Sequence, residues 1–492
     1  MNESTMNDLM GLMPYAPVIA VSITVLIVMI AIAIKRSHFI TGTITVVGLN
    51  IGLFILIGQM TGYIESAPVL LDANQLFAVD GFAQFNMLII FICSLACCTL
   101  SYAYMVSYSD NKDELYLLML LSTVGALLMV CAQHMASFFV SLELLSVPLY
   151  GMLSYTFLRS KSLESGLKYL VLSAAASATL LMGMAFIYAQ VGSLSFKSIS
   201  LQLATMYQSP LLVLGTALMM FGIAFKLSAA PFHIWTPDVY EGAPAPVATY
   251  LASVTKVAMM ALAIRFLLDT QLLALPSVQI LITVMATLSI LIGNLLAIRQ
   301  TNLKRLLGYS SIAHMGYVLI VIVSIGPGAD SVSTMYMAIY AFTSIGAFGV
   351  VTLMSSPFRL SGEADELVHY QGLFWRRPVL TASMTIMMLS LAGIPLTAGF
   401  ITKLFAIFAA VQGVQWFLAA MIIIGSAIGL FYYLRVMLTL FKRPKQFIEF
   451  DVAGHWGVRT GGIMVIAITL VIVFFGILPS TMIEWSTLAR IW

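Results

Sequence analysis

Apolar runs of about 20 residues, separated by short polar stretches, follow one another from residue 14 almost to the end of the chain. An α-helix needs about 20 predominantly apolar residues to cross the hydrocarbon core of a bilayer. The pattern therefore predicts an all-α polytopic membrane protein with about fourteen transmembrane helices. These helices are predicted to begin near Pro14, Ile40, Phe82, Leu115, Ala136, Leu163, Pro210, Gly242, Pro276, Thr301, Val332, Pro378, Gln415 and Gly461.

Two of the predicted spans, the seventh and the twelfth, contain residues that end or kink a helix. Pro231 removes a backbone donor in the seventh span, and Gly393 and Pro395 stand close together in the twelfth. Interrupted spans at matching places in two halves are typical of transporters built from inverted repeats. The predicted division has helices one to three in residues 1–112, a first five-helix repeat in 113–270, an inverted second repeat in 271–441, and a cytoplasmic loop with the last helix in 442–492.

Composition narrows the class of protein further. Charged residues make up 9% of the chain, whereas ordinary globular domains contain about 25%. The sequence has no basic aromatic patch, so no nucleic-acid partner is expected, and it has no P-loop, GxGxxG, CxxC, HExxH or haem-attachment motif, so no cofactor and no metal are expected on this chain. The cysteines lie inside apolar runs without metal-ligand spacing and are predicted to be buried small residues. They are Cys93, Cys97, Cys98 and Cys131.

The distribution of basic residues predicts the orientation. The N-terminal segment MNESTMNDLM has two acids and no base, unlike a signal peptide, so the N-terminus is predicted to lie outside. An even number of spans then puts both termini outside. On this assignment only Lys197, Arg265 and Arg490 lie outside, which fits the positive-inside rule. The cytoplasmic set is Lys35, Arg36, Lys112, Arg159, Lys161, Arg299, Lys304, Arg305, Arg359, Arg376, Arg377, Arg435, Lys442, Arg443, Lys445 and Arg459.

The remaining basic residues are all lysines inside predicted spans: Lys168, Lys226, Lys256 and Lys403. A lysine at the centre of a membrane helix costs about 2.5–3.5 kcal/mol, which indicates a function. A buried lysine can release its proton, whereas arginine stays protonated. The alternative is a side chain that reaches the membrane surface, which suits Lys168 best. Glu164, four residues before it, would then form a local salt bridge, or the pair would belong to a proton path.

One acid and two histidines join the candidate proton-transfer residues. Glu143 lies in the middle of the fifth span, where a nearby lysine would keep it ionised; the alternative is a neutral packing residue. His233 directly follows the first break, and His314 lies inside the tenth span. Neutral imidazole exchanges protons near pH 7, although a lone helical histidine is also a common packing residue. Hydroxyl residues surround His314 in the sequence: Ser310, Ser311 and Tyr317.

The stretch PFHIWTPDVYEGAPAPVATYLASVTKVA resembles the antiporter-like subunits of proton-pumping NADH:quinone oxidoreductase, respiratory complex I. Within them it is most similar to the subunit N family, which includes mitochondrial NADH dehydrogenase subunit 2. The L and M families and the multisubunit sodium/proton antiporters share the PFH–W–PD core but diverge after it. The motifs LELLSVPLYG, LKYLVLSAAAS, NLKRLLGYSSIAHMGY and LAGIPLTAGFITK extend the resemblance over most of the chain.

The resemblance implies roles for individual residues. Glu143 is the fifth-helix glutamate that pairs in the family with the lysine of the broken seventh helix, here Lys226. His233 is the histidine of PFHIW, and Lys256 is the eighth-helix lysine that connects the half-channels. Lys403 is the exit-side lysine that follows the second break.

The resemblance also implies a setting. Lys168 is the sixth-helix lysine of LKYLVLSAAAS. NADH, FMN, iron–sulfur clusters and quinone are expected in partner subunits, with M-like and K-like membrane subunits and phospholipids as neighbours. The expected location is a bacterial inner membrane, with both termini periplasmic. Protons would cross through two half-channels joined by the central lysine, glutamate and histidine axis, driven by quinone reduction in the partners.

Two other classes of function stay open at this point. The spans and lysines alone also fit a stand-alone or multisubunit cation/proton antiporter subunit, although the run TPDVYEGAPAPV favours complex I. A purely structural scaffold within the complex is the third possibility, and it leaves the four intramembrane lysines unexplained.

Overall fold

The chain is described by a computed structural model that covers residues 11–64, 76–106, 108, 111–157, 159–206, 209–325, 328–355, 363–443, 450–452 and 454–491. Within these residues the regular structure is helical, apart from three isolated β-bridges. The α-helices are α1 Ala16–Ile34, α2 His38–Met60, α3 Gly81–Met105, α4 Asp113–Met129, α5 Met135–Leu153, α6 Ser160–Val191, α7 Phe196–Met206, α8 Pro210–Leu227, α9 Trp235–Gly242, α10 Ala245–Ala252, α11 Val254–Asp269, α12 Pro276–Ala297, α13 Leu303–Ile325, α14 Ala329–Ser355, α15 Leu373–Arg376, α16 Pro378–Ala392, α17 Ala398–Gln412, α18 Trp416–Phe441, α19 Thr460–Ile477 and α20 Pro479–Ser486. Short 3₁₀ helices occupy Met13–Tyr15, Leu272–Ala274, Leu367–Tyr370 and Trp456–Val458.

Twelve helical segments of the described chain are long and apolar enough to cross a membrane, so the predicted all-α membrane class is confirmed. Two of the fourteen predicted spans are not among the twelve. The fourth corresponds to α4, which has 17 residues, and the twelfth is divided between α16 and α17, with 15 residues each.

Three segments form the centre of the helix bundle. In Ala245–Asp269, Leu303–Ser324 and Ala329–Ser355, 94% of the most apolar window is buried inside the chain, whereas the share is 33% for Met13–Ile34 and 39% for Thr460–Ile477. A helix that is apolar on all sides and buried on all sides belongs to the core of a large bundle. Polar side chains on the three central helices are therefore shielded from lipid.

Close backbone contact fixes α13 against α12. A Cβ on Gly293 of α12 would lie 2.7 Å from the backbone N of Ala313, and one on Gly316 of α13 would lie 2.8 Å from the carbonyl O of Ala286. Small residues that let backbones approach are the usual basis of helix packing in membranes. The contact sets the position of His314, which lies between Ala313 and Gly316 on α13.

Both predicted breaks are present, and each begins with a left-handed residue. Helix α8 ends at Leu227, and Ser228 follows with φ 63°; helix α16 ends at Ala392, and Gly393 follows with φ 80°. In a continuous helix the amide of Ala230 would donate to the carbonyl of Lys226, four residues before it. Here Ala230 N donates to Ser289 Oγ of α12 at 2.8 Å, which leaves the Lys226 carbonyl free for another donor.

Two basic residues that were predicted to lie outside the bundle, Arg265 and Lys304, are buried inside it. Arg265, predicted outside, lies in α11 with 2% of its surface exposed, and its guanidinium donates two hydrogen bonds to Asp80, at 2.9 and 2.6 Å. Lys304, predicted in a cytoplasmic loop, lies in the first turn of α13 with 1% exposed and forms an ion pair with Glu363. Both errors have one cause: the acidic partners are distant in sequence, so local hydropathy does not show the pairing. Arg359 and Lys445 of the predicted cytoplasmic set lie outside the described residues.

The expectation for the cysteines is confirmed, since all four thiols are free and buried. Among the described residues, no group of three or more histidine, cysteine, aspartate or glutamate side chains is arranged to hold a metal ion.

Candidate functional site

The ammonium group of Lys226 is held by hydroxyl groups at the end of α8. Its Nζ donates to Ser146 Oγ of α5 at 2.7 Å and to Ser173 Oγ of α6 at 2.8 Å. Tyr150 OH bonds to the same Ser173 Oγ at 2.9 Å, and the ring of Tyr169 lies 5.8 Å from Nζ. The side chain is 6% exposed, so these polar contacts replace the water that a charged amine requires.

Glu143 does not contact Lys226 directly, contrary to the pairing that the resemblance implies. Within the described residues its Oε1 accepts a hydrogen bond from Ser177 Oγ at 2.6 Å, and the residue is only half-buried. Ser177 lies one helical turn after Ser173, the residue that binds Lys226. The acid and the amine therefore face neighbouring turns of α6, and two serines separate them.

The Lys256 side chain reaches the first break from α11. Its Nζ donates to the free carbonyl O of Lys226 at 3.1 Å and to Ser228 Oγ. Ser228 Oγ also accepts a hydrogen bond from Thr236 Oγ1 at 2.6 Å, and the ring of Trp235 lies 5.2 Å from Nζ. Lys256 is fully buried. The Lys256 ammonium thus contacts the backbone carbonyl of Lys226, the one that the break releases.

Lys403 repeats this arrangement at the second break. Its Nζ donates to the carbonyl oxygens of Leu391 and Ala392, the last residues of α16, at 2.8 and 3.0 Å. The ring of Tyr317 lies 5.2 Å from Nζ. The carboxyl end of a helix carries a partial negative charge, so it attracts an ammonium group without any carboxylate.

His314 lies in a cluster of tyrosines between the two breaks. Its Nδ1 is hydrogen-bonded to Tyr336 OH at 2.8 Å, and its Nε2 lies 3.3 Å from Tyr433 OH. Tyr433 OH also bonds to Ser310 Oγ at 2.5 Å, and the His314 ring meets the ring of Tyr317 edge to face, with centroids 5.6 Å apart. Both ring nitrogens therefore have hydroxyl partners that can pass a proton.

Helix α12 links the lysine site at the first break to the tyrosine cluster. Its Ser289 binds the amide of Ala230 in the break. Five residues later, Asn294 donates to Tyr317 OH at 3.2 Å and accepts from Tyr432 OH at 3.0 Å. The polar residues of α12 thus continue the line of polar groups between the two breaks.

Two predicted site residues lie apart from this line. His233 is buried at the first break, but it bonds to neither lysine ammonium, and its Nδ1 has no hydrogen-bond partner among the described residues. The Lys168 side chain is 44% exposed and forms ion pairs with Glu164 at 2.7 Å and Asp238 at 3.2 Å. The local salt bridge considered from the sequence is therefore present. The structure brings together Lys226 and Lys256, and it joins His314 to Lys403 through Tyr317.

Sequence reasoning missed most of the hydroxyl partners. Ser310, Ser311 and Tyr317 were visible beside His314, but the partners from other helices were not. The only available signal was an unusual number of serine and tyrosine residues within apolar spans. The missed residues are Ser146, Ser173, Ser177, Ser228, Tyr336, Tyr432 and Tyr433.

The chain is similar to known membrane proteins over its whole length. A family model described as NADH:quinone oxidoreductase/Mrp antiporter, transmembrane, matches residues 132–429. The chain is 82% identical over 492 residues to the NADH-quinone oxidoreductase subunit N of Psychrobacter arcticus, covering 100% of both, and 54% identical over 481 residues to the protein of that name from Acinetobacter baumannii, covering 98% of this chain and 96% of that one. A chain in the solved respiratory complex I of Thermus thermophilus with bound aureothin superposes with a TM-score of 0.80 at 29% identity, covering 95% of this chain and 98% of that chain.

Proposed function

Since the chain belongs to the NADH:quinone oxidoreductase/Mrp antiporter family of membrane proteins, we propose that it translocates protons as the subunit N of a bacterial respiratory complex I. The full-length match to relatives named NADH-quinone oxidoreductase subunit N supports this function over a cation/proton antiporter that works alone. Its partners are the other membrane subunits of the complex.

One observation carries the proposal: at both helix breaks a buried lysine ammonium binds carbonyl oxygens at the end of the interrupted helix. Lys256 does so at Lys226 O, and Lys403 does so at the carbonyls of Leu391 and Ala392. Broken helices whose free backbone groups hold an ion near the middle of the bilayer are the usual construction of transporter sites. Lysine suits proton transport in particular because it can release its proton, unlike arginine.

The proposed path begins at Lys226 and ends at Lys403. A proton enters from the cytoplasmic side and reaches Lys226, whose charge Glu143 stabilises when the pair closes. It then passes to Lys256, whose ammonium lies against the Lys226 backbone carbonyl at the break. From there it moves along the polar residues of α12 and the tyrosine cluster around His314 to Lys403, which releases it to the periplasmic side.

The finer architecture is part of this proposal. Counting α4 as a span, and α16 with α17 as one broken span, raises the twelve segments to fourteen. The two breaks then fall on the seventh and twelfth spans, at matching places of two inverted five-helix repeats over residues 113–270 and 271–441. An even count with the N-terminus outside places both termini on the periplasmic side.

The proposed source of energy lies in partner subunits. We place NADH, FMN, the iron–sulfur clusters and quinone there, and none of them on this chain. His233 and Lys168 take secondary roles in the path, His233 as a proton acceptor beside the first break and Lys168 as a surface group where protons are collected. Quinone reduction in the partners would close and open the Glu143–Lys226 pair.

Substitution of the two lysines at the first break tests the path. Lys226→Ala is expected to reduce strongly the number of protons pumped per NADH oxidised in membrane vesicles that contain assembled complex. Lys256→Arg keeps a positive charge that cannot readily leave, so it should reduce pumping as well. Lys197→Ala, at an exposed position of α7, is the control and should pump normally. Normal pumping by Lys226→Ala and Lys256→Arg at normal assembly would refute the path.

The antiporter alternative is tested separately. The purified chain alone, reconstituted in liposomes, is expected to show no sodium/proton exchange, whereas the intact complex pumps protons when NADH is added. Sodium/proton exchange by the isolated chain, as fast as the proton pumping by the intact complex, would favour the alternative.

A further inference from the structure

Besides the pair of Arg265 and Asp80, the bundle contains a second buried ion pair, formed by Lys304 and Glu363. It has no part in the proton transfer proposed above. Lys304, in the first turn of α13, pairs with Glu363, which lies between α14 and the 3₁₀ helix Leu367–Tyr370. Their side chains are 2% and 3% exposed. Burying two charges costs several kcal/mol per ion before their mutual attraction is counted, so such a pair calls for an explanation.

The pair holds the junction of α9 and α10, which is formed by Ala243, Pro244 and the first residue of α10, Ala245. These three residues are called the connector below. Lys304 Nζ donates to the carbonyl O of Ala243 at 2.9 Å, and Glu363 Oε1 accepts from the amide N of Ala245 at 3.1 Å. Pro244 between them has no amide proton and a fixed φ. The ion pair therefore binds both polar backbone groups that this rigid connector offers on either side of its proline.

The connector lies between the first break and Lys256. On one side is α9, the short helix that follows the break, and on the other is α10, which leads through α11 to Lys256. Lys256 lies eleven residues after Ala245, or about 16 Å along the helix axis. A shift of the connector therefore displaces the Lys256 ammonium from Ser228 and from the Lys226 carbonyl.

Further donors fix the carboxylate of Glu363. Arg159 Nη1 lies 3.1 Å from Glu363 Oε1, and Tyr104 OH donates to the same oxygen. Burial alone would raise the pKa of the Glu363 carboxyl, but the Lys304 ammonium and the Arg159 guanidinium outweigh it and hold the pKa below its usual range. The carboxyl is thus ionised at neutral pH and is a fixed acceptor for the Ala245 amide.

We propose that Lys304 and Glu363 are positioning residues for proton transfer, which hold the connector Ala243–Ala245 and thereby set Lys256 against the first break. Both come from the part of the chain that follows the connector, residues 271–441, whereas the connector and Lys256 come from residues 113–270. The pair therefore ties the second proposed repeat to the central lysine of the first. This inference rests on the proposed function, because the role of Lys256 in pumping does.

A matched pair of substitutions separates positioning from simple support of the fold. Asp80 resembles Glu363 closely: it is a buried carboxylate, it binds a buried cation, Arg265, and it caps a helix start by accepting from Ala83 N at 2.8 Å. It does not touch the connector. Glu363→Ala and Asp80→Ala should both lower the amount of assembled complex, because each leaves a buried cation without its anion.

The discriminating measurement is the proton yield per NADH oxidised, taken on the complex that does assemble. Glu363→Ala is expected to lose at least about half as much of this yield as Lys256→Ala loses, while Asp80→Ala keeps the wild-type yield. Glu363→Gln retains an oxygen acceptor for the Ala245 amide and should recover part of the loss. Lys304→Arg retains donors for the Ala243 carbonyl and should likewise keep part of the proton yield that is lost when the ion pair is removed.

The outcomes distinguish this inference from the proposed function. Equal proton yields for Glu363→Ala and Asp80→Ala overturn the positioning role, provided that Lys256→Ala pumps poorly. Wild-type pumping by Lys256→Ala instead refutes the proposed path itself. If the complex with Glu363→Ala fails to assemble, the proton yields of Glu363→Gln and Lys304→Gln are compared with that of Asp80→Ala instead. A wild-type proton yield in both would overturn the inference.

Discussion

Replacing Gly393 by alanine tests whether the geometry of the second break holds the Lys403 ammonium. Gly393 has φ 80°, and a Cβ there would lie 2.7 Å from Lys403 Cδ. Ordinary contact begins at 3.4 Å, so the lysine side chain must move by about 0.7 Å. The bonds from Nζ to the carbonyls of Leu391 and Ala392, now 2.8 and 3.0 Å long, would then reach or pass the limit of a hydrogen bond.

The stability cost of Gly393→Ala has two parts, backbone strain and a lost hydrogen bond, and substitution of a second glycine, Gly192, measures the backbone strain alone. A left-handed conformation costs an alanine roughly 1–2 kcal/mol. Gly192 ends α6 with φ 71°, in the same kind of cap, and nothing lies within 4 Å of its added Cβ. Gly192→Ala therefore carries the backbone strain alone, roughly 1–2 kcal/mol. Gly393→Ala adds the loss of one charge-assisted hydrogen bond, about 1.5–3 kcal/mol, for a total of roughly 2.5–5 kcal/mol.

The assay compares both variants in the assembled complex. The midpoint temperature at which the complex dissociates should fall modestly for Gly192→Ala and further for Gly393→Ala. The proton yield per NADH, measured in vesicles with a pH-sensitive dye, should fall only for Gly393→Ala, because only there is the lysine displaced. Equal losses of stability with unchanged proton yield in both variants would refute the reasoning that the break positions Lys403.

Three further predictions follow from the described contacts. Stability of the complex should fall as the pH drops below about 4.3, the ordinary pKa of glutamate. Burial raises the pKa of Glu363, but its cationic partners outweigh burial and hold that pKa lower in the folded chain. The stabilisation is therefore complete above the unfolded pKa and is lost as the pH falls through the folded pKa. Thermal dissociation measured from pH 7 down to about pH 3 checks this, and Glu363→Gln should flatten the acid limb. Lys168→Ala should keep most of the proton yield that Lys226→Ala loses, since an exposed ion pair contributes about 0–1 kcal/mol; equal losses in the two variants would contradict it. Tyr433→Phe should lower the proton yield without loss of assembly, because it removes a hydroxyl partner of His314 and little volume; a wild-type yield would exclude this hydroxyl from the path.

The sequence was sufficient for features that depend on local chemistry. Hydropathy located a helix, or a pair of helices, at every predicted span, because the bilayer dictates the length of apolar segments. Both breaks were readable from Pro231 and Gly393, because proline and glycine act on the backbone at their own positions. The buried lysines Lys226, Lys256 and Lys403 were readable because a cation within an apolar run is conspicuous.

Features that depend on contacts between distant residues were beyond the sequence. The ion pair of Lys304 and Glu363 joins residues 59 positions apart, and that of Asp80 and Arg265 joins residues 185 positions apart. A basic residue near the end of an apolar run reads as a loop residue unless its helix is known to lie at the centre of the bundle. The indirect relation between Glu143 and Lys226 was also hidden, because it depends on which face of α6 lies between them.

The partners of the buried cations divide them into two kinds. Arg265 and Lys304 each form an ion pair with a carboxylate, Asp80 and Glu363 respectively. Lys226, Lys256 and Lys403 have no carboxylate within 4.0 Å among the described residues and bind hydroxyl and carbonyl oxygens instead. A neutral amine can still donate to those oxygens, so such a site remains hydrogen-bonded after the proton leaves. The hydroxyl and carbonyl oxygens can therefore hold a lysine in place in both of its protonation states, which a site that passes protons requires.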